Sequence, residues 1–325
     1  MNFKTYPMHR FILVFFLFTL HSFSQDFSSV KEKVNAYKGI STSEKLALQL
    51  KKDFKSNENK IKALYYWLTN NIRYDLEEFY NPNREKVTVF RYQTLEERER
   101  KIKAMNDKII KETLLRRRAV CEGYARTFAD VCTLLNIENE VITGYVRASI
   151  NYINKPLEQP NHAWNAVKLN NKWIYIDATW GAGFEFNGKW LKKFNPYFYN
   201  IPNKKYFKTH LPEKSVWRLR VGNIDKQKFY EQPILSNDFL STNIELSENI
   251  KGVLRKDSNN KIQFNLKNIE SEEIFIGFLG ISTAFTPAIE PIKNNEISVS
   301  IEVPDNVREC FLLINRQVAV QFLVE

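Results

Sequence analysis

The chain has 325 residues, 43% hydrophobic and 14% aromatic, which is long enough for two ordinary domains and too apolar for a disordered chain. A formal charge of +11 and a pI near 9.3 raise nucleic acid or an anionic surface as partners. The lysines are scattered among glutamates and accompany no recognised reading motif, which argues against nucleic acid.

At the N-terminus, Lys4 and Arg10 precede the apolar run "FILVFFLFTL", and the small residues Ser22 and Ser24 follow it. These are the basic, apolar and cleavage regions of a secretory signal peptide, so residues 1–24 are expected to be removed on export to the periplasm or the medium. The run from Phe11 to Leu20 is about half of the ~20 residues that a spanning helix needs, so no stable membrane span is expected after cleavage. Loss of Lys4 and Arg10 leaves a mature charge of +9, starting near Gln25.

Beyond the signal, "SSVKEKVNAYKG" and "STSEKLALQLKKDF" read as polar helices. Ser56 caps the next helix, in which Ile61, Leu64, Leu68 and Ile72 form an apolar stripe. Residues 76–92 lack a period and contain "NPN", so a loop is expected. Thr94 and Glu97 stand in capping-box spacing at the start of a long, charged and largely solvated helix that runs to Arg118. A further helix opens at Cys121 and carries Tyr124, Phe128, Val131, Cys132 and Leu135 at helical spacing.

"EVITGYVRA" alternates as a strand, and a loop rich in Asn and Pro follows. "HAWNAVKL" and "KWIYIDATW" then form a hairpin across Asn170 and Asn171, because asparagine tolerates the positive φ of a two-residue turn. In that register Trp164 faces Asp177 and His162 faces Thr179, so His162 and Asp177 become diagonal neighbours on one face, about 7 to 8 Å apart. An aromatic, irregular segment follows. From about Gly222 the chain turns to short alternating strands, the pattern of a β-sandwich. The expected division is a signal peptide at 1–24, a first domain at 25–225 and a sandwich at 226–325.

Three cysteines remain, Cys121, Cys132 and Cys310. On one helix the first two lie about 16 Å apart, beyond the ~7 Å that a disulfide allows. Either Cys310 bonds one of them or all three are reduced. A thiol attacks only as thiolate, which a helix N-terminus, nearby cations or a paired imidazole favour. Cys121 has the first two, the cations being Arg116 to Arg118, and Gly123 leaves room for a substrate backbone. The bland reading is that Cys121 begins the buried stripe that Cys132 continues.

Of four histidines, His9 and His21 fall in the signal peptide. His210, in "KTHLPEK", looks structural, whereas His162 opens a strand after a flexible loop and is the candidate base. Asp177 ends an apolar strand, where an unpaired carboxylate would be costly; an acid that orients an imidazole is what the chemistry requires. No phosphate loop, dinucleotide fingerprint or zinc-ligand spacing is present, so neither a cofactor nor a metal is expected.

The motifs "VCEGYA", "NHAWNAV" and "WIYIDATWGAG", in that order, resemble those of the transglutaminase-like superfamily. "YYWLTNNIRYD" upstream and "NPYFYNIPNKKYFKTHLPEKSVWRL" downstream are similar to its kyphoscoliosis-peptidase branch, a likeness that runs from about Lys60 to Leu219. The resemblance implies an α+β, papain-like transglutaminase core with the cysteine helix packed on an antiparallel sheet. It also implies Cys121 as nucleophile, His162 as base and Asp177 as orienting acid, acting on a protein or peptide substrate. Ala119, where such motifs often have glycine, and the charged insertion from Leu76 to Arg118 depart from the pattern; the insertion could cover or reshape the cleft. For the oxyanion, the Cys121 amide is one candidate donor, with Trp67 and Tyr74 as side-chain candidates.

Overall fold

The computed structural model describes residues 26–82 and 91–325. The expected signal peptide, and with it the expected cleavage site, lies outside the described residues, as does the middle of the expected 76–92 loop.

Helices α1 (Ser28–Asn35) and α2 (Ser43–Asp53) are polar in composition, yet each buries an apolar edge, Val30 and Val34 in one and Leu46 and Leu50 in the other. The Ser56 hydroxyl accepts from Asn59 N at 3.2 Å and starts α3 (Asn57–Asn71), whose residues Ile61, Leu64 and Leu68 are fully buried. Strand β1 (Arg73–Tyr74) leads into α4 (Leu76–Tyr80), a short helix where a loop was expected. Its cause is local: the Asp75 carboxylate accepts from Glu78 N at 3.0 Å and caps the first turn. Helix α5 (Leu95–Arg116) starts on Thr94 as the spacing predicts and buries only Thr113 and Leu114 among its described side chains.

Arg117 ends α5 in the left-handed region, and the chain passes through β2 (Arg118–Ala119) into α6 (Cys121–Leu134). Because β2 pairs in parallel with β1, Tyr74 stands opposite Ala119, two residues before Cys121. The stripe on α6 is buried at Tyr124, Phe128, Val131 and Cys132 and packs on an antiparallel sheet. That sheet holds β3 (Asn139–Val146), β4 (His162–Leu169), β5 (Lys172–Ile176) and β8 (His210–Pro212), in the order β5-β4-β3-β8. Asn170 and Asn171 both adopt positive φ, at 50° and 63°, and Asn165 pairs with Ile176. This is the register expected from the sequence, and it leaves Trp164 opposite Asp177. Between β5 and β8 lie α7 (Ala178–Ala182), a small hairpin of β6 (Gly183–Phe186) and β7 (Lys189–Lys192), and α8 (Asn203–Thr209).

The remaining strands are β9 (Ile234–Leu235), β10 (Glu245–Leu246), β11 (Val253–Leu254), β12 (Lys261–Lys267), β13 (Ile274–Phe278), β14 (Ala288–Pro291), β15 (Glu296–Glu302), β16 (Glu309–Ile314) and β17 (Gln317–Val324). They form two sheets, β10-β12-β15-β14 and β11-β17-β16-β13, with β9 added against β17. Alternate residues such as Ile262, Phe264, Ile276, Leu312 and Phe322 are buried between them, the alternation that a sandwich of two half-buried sheets requires. Residues 225–240 are shared by both halves: Phe229 and Tyr230 pack on Tyr145 and Leu211, while β9 extends the sandwich. The buried guanidinium of Arg147 donates to the carbonyls of Gln232 and Lys208, at 2.7 and 3.0 Å.

Candidate active site

The helix and the strand that carry the candidate residues are tied near their starts. Asn165 Nδ2 on β4 donates to the Ala125 carbonyl of α6 at 2.9 Å, in a fully buried contact. Cys121, the first residue of α6, therefore meets His162, the first residue of β4. His162 Nε2 lies 2.7 Å from Asp177 Oδ2, and the Cys121 side chain is near enough to the same ring to act on its charge. With Nε2 occupied by Asp177, Nδ1 is the nitrogen left for the sulfur.

Asp177 is 0% exposed and fully engaged. Its Oδ1 accepts from Thr179 N at 2.8 Å and Trp180 N at 3.0 Å, which makes it the N-cap of α7. Its Oδ2 receives His162 on one side and His210 Nε2, at 3.0 Å, on the other. Gly181 in α7 permits this placement, because a Cβ there would run into the Tyr65 phenol. Burial pushes the Asp177 carboxyl up, but the charges and hydrogen bonds of His162 and His210 hold it far below its ordinary 3.8. Burial likewise pulls the His162 imidazole down; the Asp177 charge and hydrogen bond, with Cys121, outweigh it and raise the group from 6.5 to about 10.

Three sequence readings change here. His210, read from sequence only as structural, is completely buried and bonded to the same carboxylate oxygen as His162. Gly123 serves packing, since a Cβ would sit 2.5 Å from Ala119 Cβ and 2.5 Å from Thr113 Oγ1, on the face of α6 that receives α5. Two of the three arginines before Cys121 are committed elsewhere. Arg117 stacks on Trp67, 4.7 Å from its ring centre, and Arg118 pairs with Asp75 and Glu77 at 2.7 and 2.6 Å. Of the two features read from sequence at Cys121, the helix N-terminus stands, and the cation cluster is reduced by the engagement of Arg117 and Arg118.

The cysteines separate by environment. All three are free thiols; Cys121 is partly exposed, whereas Cys132 and Cys310 are buried in different cores. Burial raises the Cys132 thiol well above its ordinary value and pushes Cys310 up to about 12. Trp67, one candidate oxyanion donor, is 1% exposed and held in the core under Arg117. Tyr74, the other, is in electrostatic contact with Cys121 and Asp177, and burial followed by those charges keeps its phenol protonated.

Residues 44–178 match the model of the transglutaminase-like superfamily. That part of the chain belongs to this superfamily. Kyphoscoliosis peptidase from Homo sapiens is 21% identical over 248 residues, covering 70% of this chain and 34% of that protein. The Mus musculus protein of the same name is 21% identical over 210 residues, covering 62% and 29%. The chain thus spans about a third of the length of these relatives. A crystal structure of a TGase is similar at a TM-score of 0.29 with 20% identity, covering 52% of this chain and 37% of that one.

In this transglutaminase-like domain, His162 opens into a cleft of about 650 Å³. Tyr74, Phe79, Trp180 and Trp190 line one side, and Leu235, Val318 and Gln321, from β9 and β17, line another. The insertion does shape the cleft, through Leu76 and Phe79 of α4, but α5 supplies none of the lining among the described residues. His162, Asp177 and His210 are the one group of metal-ligating side chains among the described residues whose donor atoms lie within 4.8 Å of one another. Apart from His162 Nδ1, their polar side-chain atoms are spent on hydrogen bonds to each other and to Thr209, Thr179 and Trp180. Among the described residues, no helix is long and apolar enough to cross a membrane.

Proposed function

We propose that the chain is an exported thiol-dependent enzyme that acts on amide bonds of a protein or peptide, with Cys121, His162 and Asp177 as its catalytic set. The observation that carries the reading is His162 held between the Asp177 carboxylate and the Cys121 thiol. Cys121 Sγ attacks a carboxamide or peptide carbonyl while His162 holds the thiol proton and passes it to the departing amine. Water, or a second amine, then resolves the thioester. Asp177 offsets the imidazolium charge and fixes the ring so that Nδ1 faces the sulfur. The Cys121 amide, at the first turn of α6 where backbone N–H groups lack helical partners, and the Tyr74 hydroxyl are the candidate oxyanion donors.

Of the two outcomes, we infer that hydrolysis is slightly favoured over cross-linking. Export is supported by the N-terminal sequence pattern. The test is labelling of the folded protein by iodoacetamide near neutral pH. Selective modification of Cys121 is expected of the enzyme, and equal, slow modification of all three cysteines is expected of a catalytically silent scaffold or binding module of the cell envelope.

A further inference from the structure

We propose that His210 is a positioning residue of this site: a neutral imidazole that donates its Nε2–H to Asp177 Oδ2 and thereby holds down the proton affinity of His162. The inference rests on the catalytic reading of Cys121, His162 and Asp177, and extends it to a second histidine that the acyl-transfer scheme does not use.

The proton count follows from the contacts. His210 Nε2 is 3.0 Å from Asp177 Oδ2, and its Nδ1 is 2.7 Å from Thr209 Oγ1. If Nε2 carried no proton, its lone pair would face a carboxylate oxygen in a fully buried site, a repulsion with no water to relieve it. If both nitrogens carried protons, a second imidazolium would share one carboxylate with His162, its ring centre 5.9 Å away. Complete burial disfavours that cation and lowers the His210 imidazole from its ordinary 6.5, outweighing the hydrogen bond to Asp177. The remaining arrangement has Nε2–H donating to Asp177 and the Thr209 hydroxyl giving its one proton to Nδ1 at 2.7 Å rather than to the Tyr206 carbonyl at 3.4 Å. The ring is held by Trp164, Trp180 and Tyr206, with centroids at 4.9, 5.1 and 5.8 Å.

The consequence acts through Asp177. Thr179 N and Trp180 N already fix the carboxylate by Oδ1, so the second histidine adds little to its rotation. It does take up charge on Oδ2, the oxygen that also faces His162. A carboxylate that shares its charge binds the His162 proton less tightly, and a less basic imidazolium gives its proton more readily to a leaving amine. The other titratable groups facing this pair are Cys121 on α6, Tyr74 on β1, Tyr65 on α3, Tyr124 on α6 and Tyr206 on α8. Burial raises all four phenols, which therefore stay neutral.

The test uses the full chain with labelled histidine side chains, followed by NMR. In the wild type, His210 is expected as a neutral Nε2–H imidazole across the accessible pH range; a cationic or Nδ1–H ring would overturn the proposal without any variant being needed. His210→Gln can place an amide N–H where Nε2 stood, whereas His210→Asn reaches only the Nδ1 position. His210→Asn should raise the His162 titration midpoint by about one unit, a tenfold change in proton affinity, and His210→Gln should leave it near the wild-type value. A midpoint that is unchanged or falls in a folded His210→Asn protein, or that moves equally in both, contradicts the role. Iodoacetamide labelling of the same samples separates the two claims. An inert Cys121 with His162 still coupled to His210 sinks the enzyme and leaves the coupling standing; a reactive Cys121 with no coupling does the reverse.

Discussion

Asp177→Asn removes the charge between the two histidines while keeping nearly the same shape. The asparagine oxygen can still accept from Thr179 N and Trp180 N, so α7 keeps its cap. Its amide would then meet His162 and His210 as a second donor, and the His162 cation would lose its counter-charge. Against the pull of burial, Asp177, with a lesser part from Cys121, raises His162 from 6.5 to about 10, and each unit is worth about 1.36 kcal/mol. The gross effect is therefore on the order of 5 kcal/mol, in line with the ~3 to 5 kcal/mol cost of breaking a buried pair. The sign is fixed by linkage. A folded-state value above the unfolded one stabilises fully below about pH 6.5, and that contribution is lost as pH rises through about 10. The depressed Asp177 contributes above its unfolded value near 3.9 and loses that contribution as pH falls below it. The stability gap between wild type and variant should thus be widest between pH 4 and 6.5 and narrow sharply by pH 10. Urea unfolding at pH 6 and pH 10 measures it. Turnover should fall by about 10⁴-fold, as when other triads lose this charge. An equal gap at both pH values, or unchanged turnover, would refute the coupling.

Iodoacetamide should modify Cys121 well before Cys132 or Cys310, whose burial keeps them as thiols; equal rates would remove the case for a nucleophile. Cys132→Ala should lower stability by about 1 to 3 kcal/mol in urea melts without changing Cys121 labelling. Tyr74→Phe should slow acyl transfer by about 10²- to 10³-fold if the phenol binds the oxyanion, with little effect on alkylation of the free thiol. N-terminal mass spectrometry of protein collected outside the producing cells should find a chain that starts at Gln25; a retained Met1 would oppose export. EDTA should leave the rate of Cys121 labelling unchanged, and a loss restored by zinc would mean that His162, Asp177 and His210 bind metal.

Local chemistry made part of the site readable in advance. Two asparagines in a row dictated a turn, the turn dictated the register, and the register put His162 and Asp177 on one face. The helix start at Cys121 followed from its apolar spacing. What could not be read depended on pairings between distant segments. His210 reaches Asp177 only because β8 adds to the sheet beside β3, with His210 opposite Val146, and nothing within "KTHLPEK" signals that partner. One cue was available: His210 is one of just two histidines after residue 24. Arg117 and Arg118 misled because adjacency in sequence says nothing of direction; one turns to Trp67 and the other to Asp75. The α4 helix was missed because its signal is a single capping aspartate rather than a periodic stripe.

The central claim is that Cys121 forms a covalent acyl intermediate with His162 beside it. Rapid mixing of the full chain with a peptide p-nitrophenyl ester or a peptide carboxamide, acid quenching within the first turnover and mass mapping of the peptides tests this directly. The account predicts an acyl mass on the peptide that contains Cys121, a burst of released product equal to the protein present, and neither in Cys121→Ser. Product without an adduct, or an adduct that persists at the same rate when His162 is replaced by alanine, would contradict it.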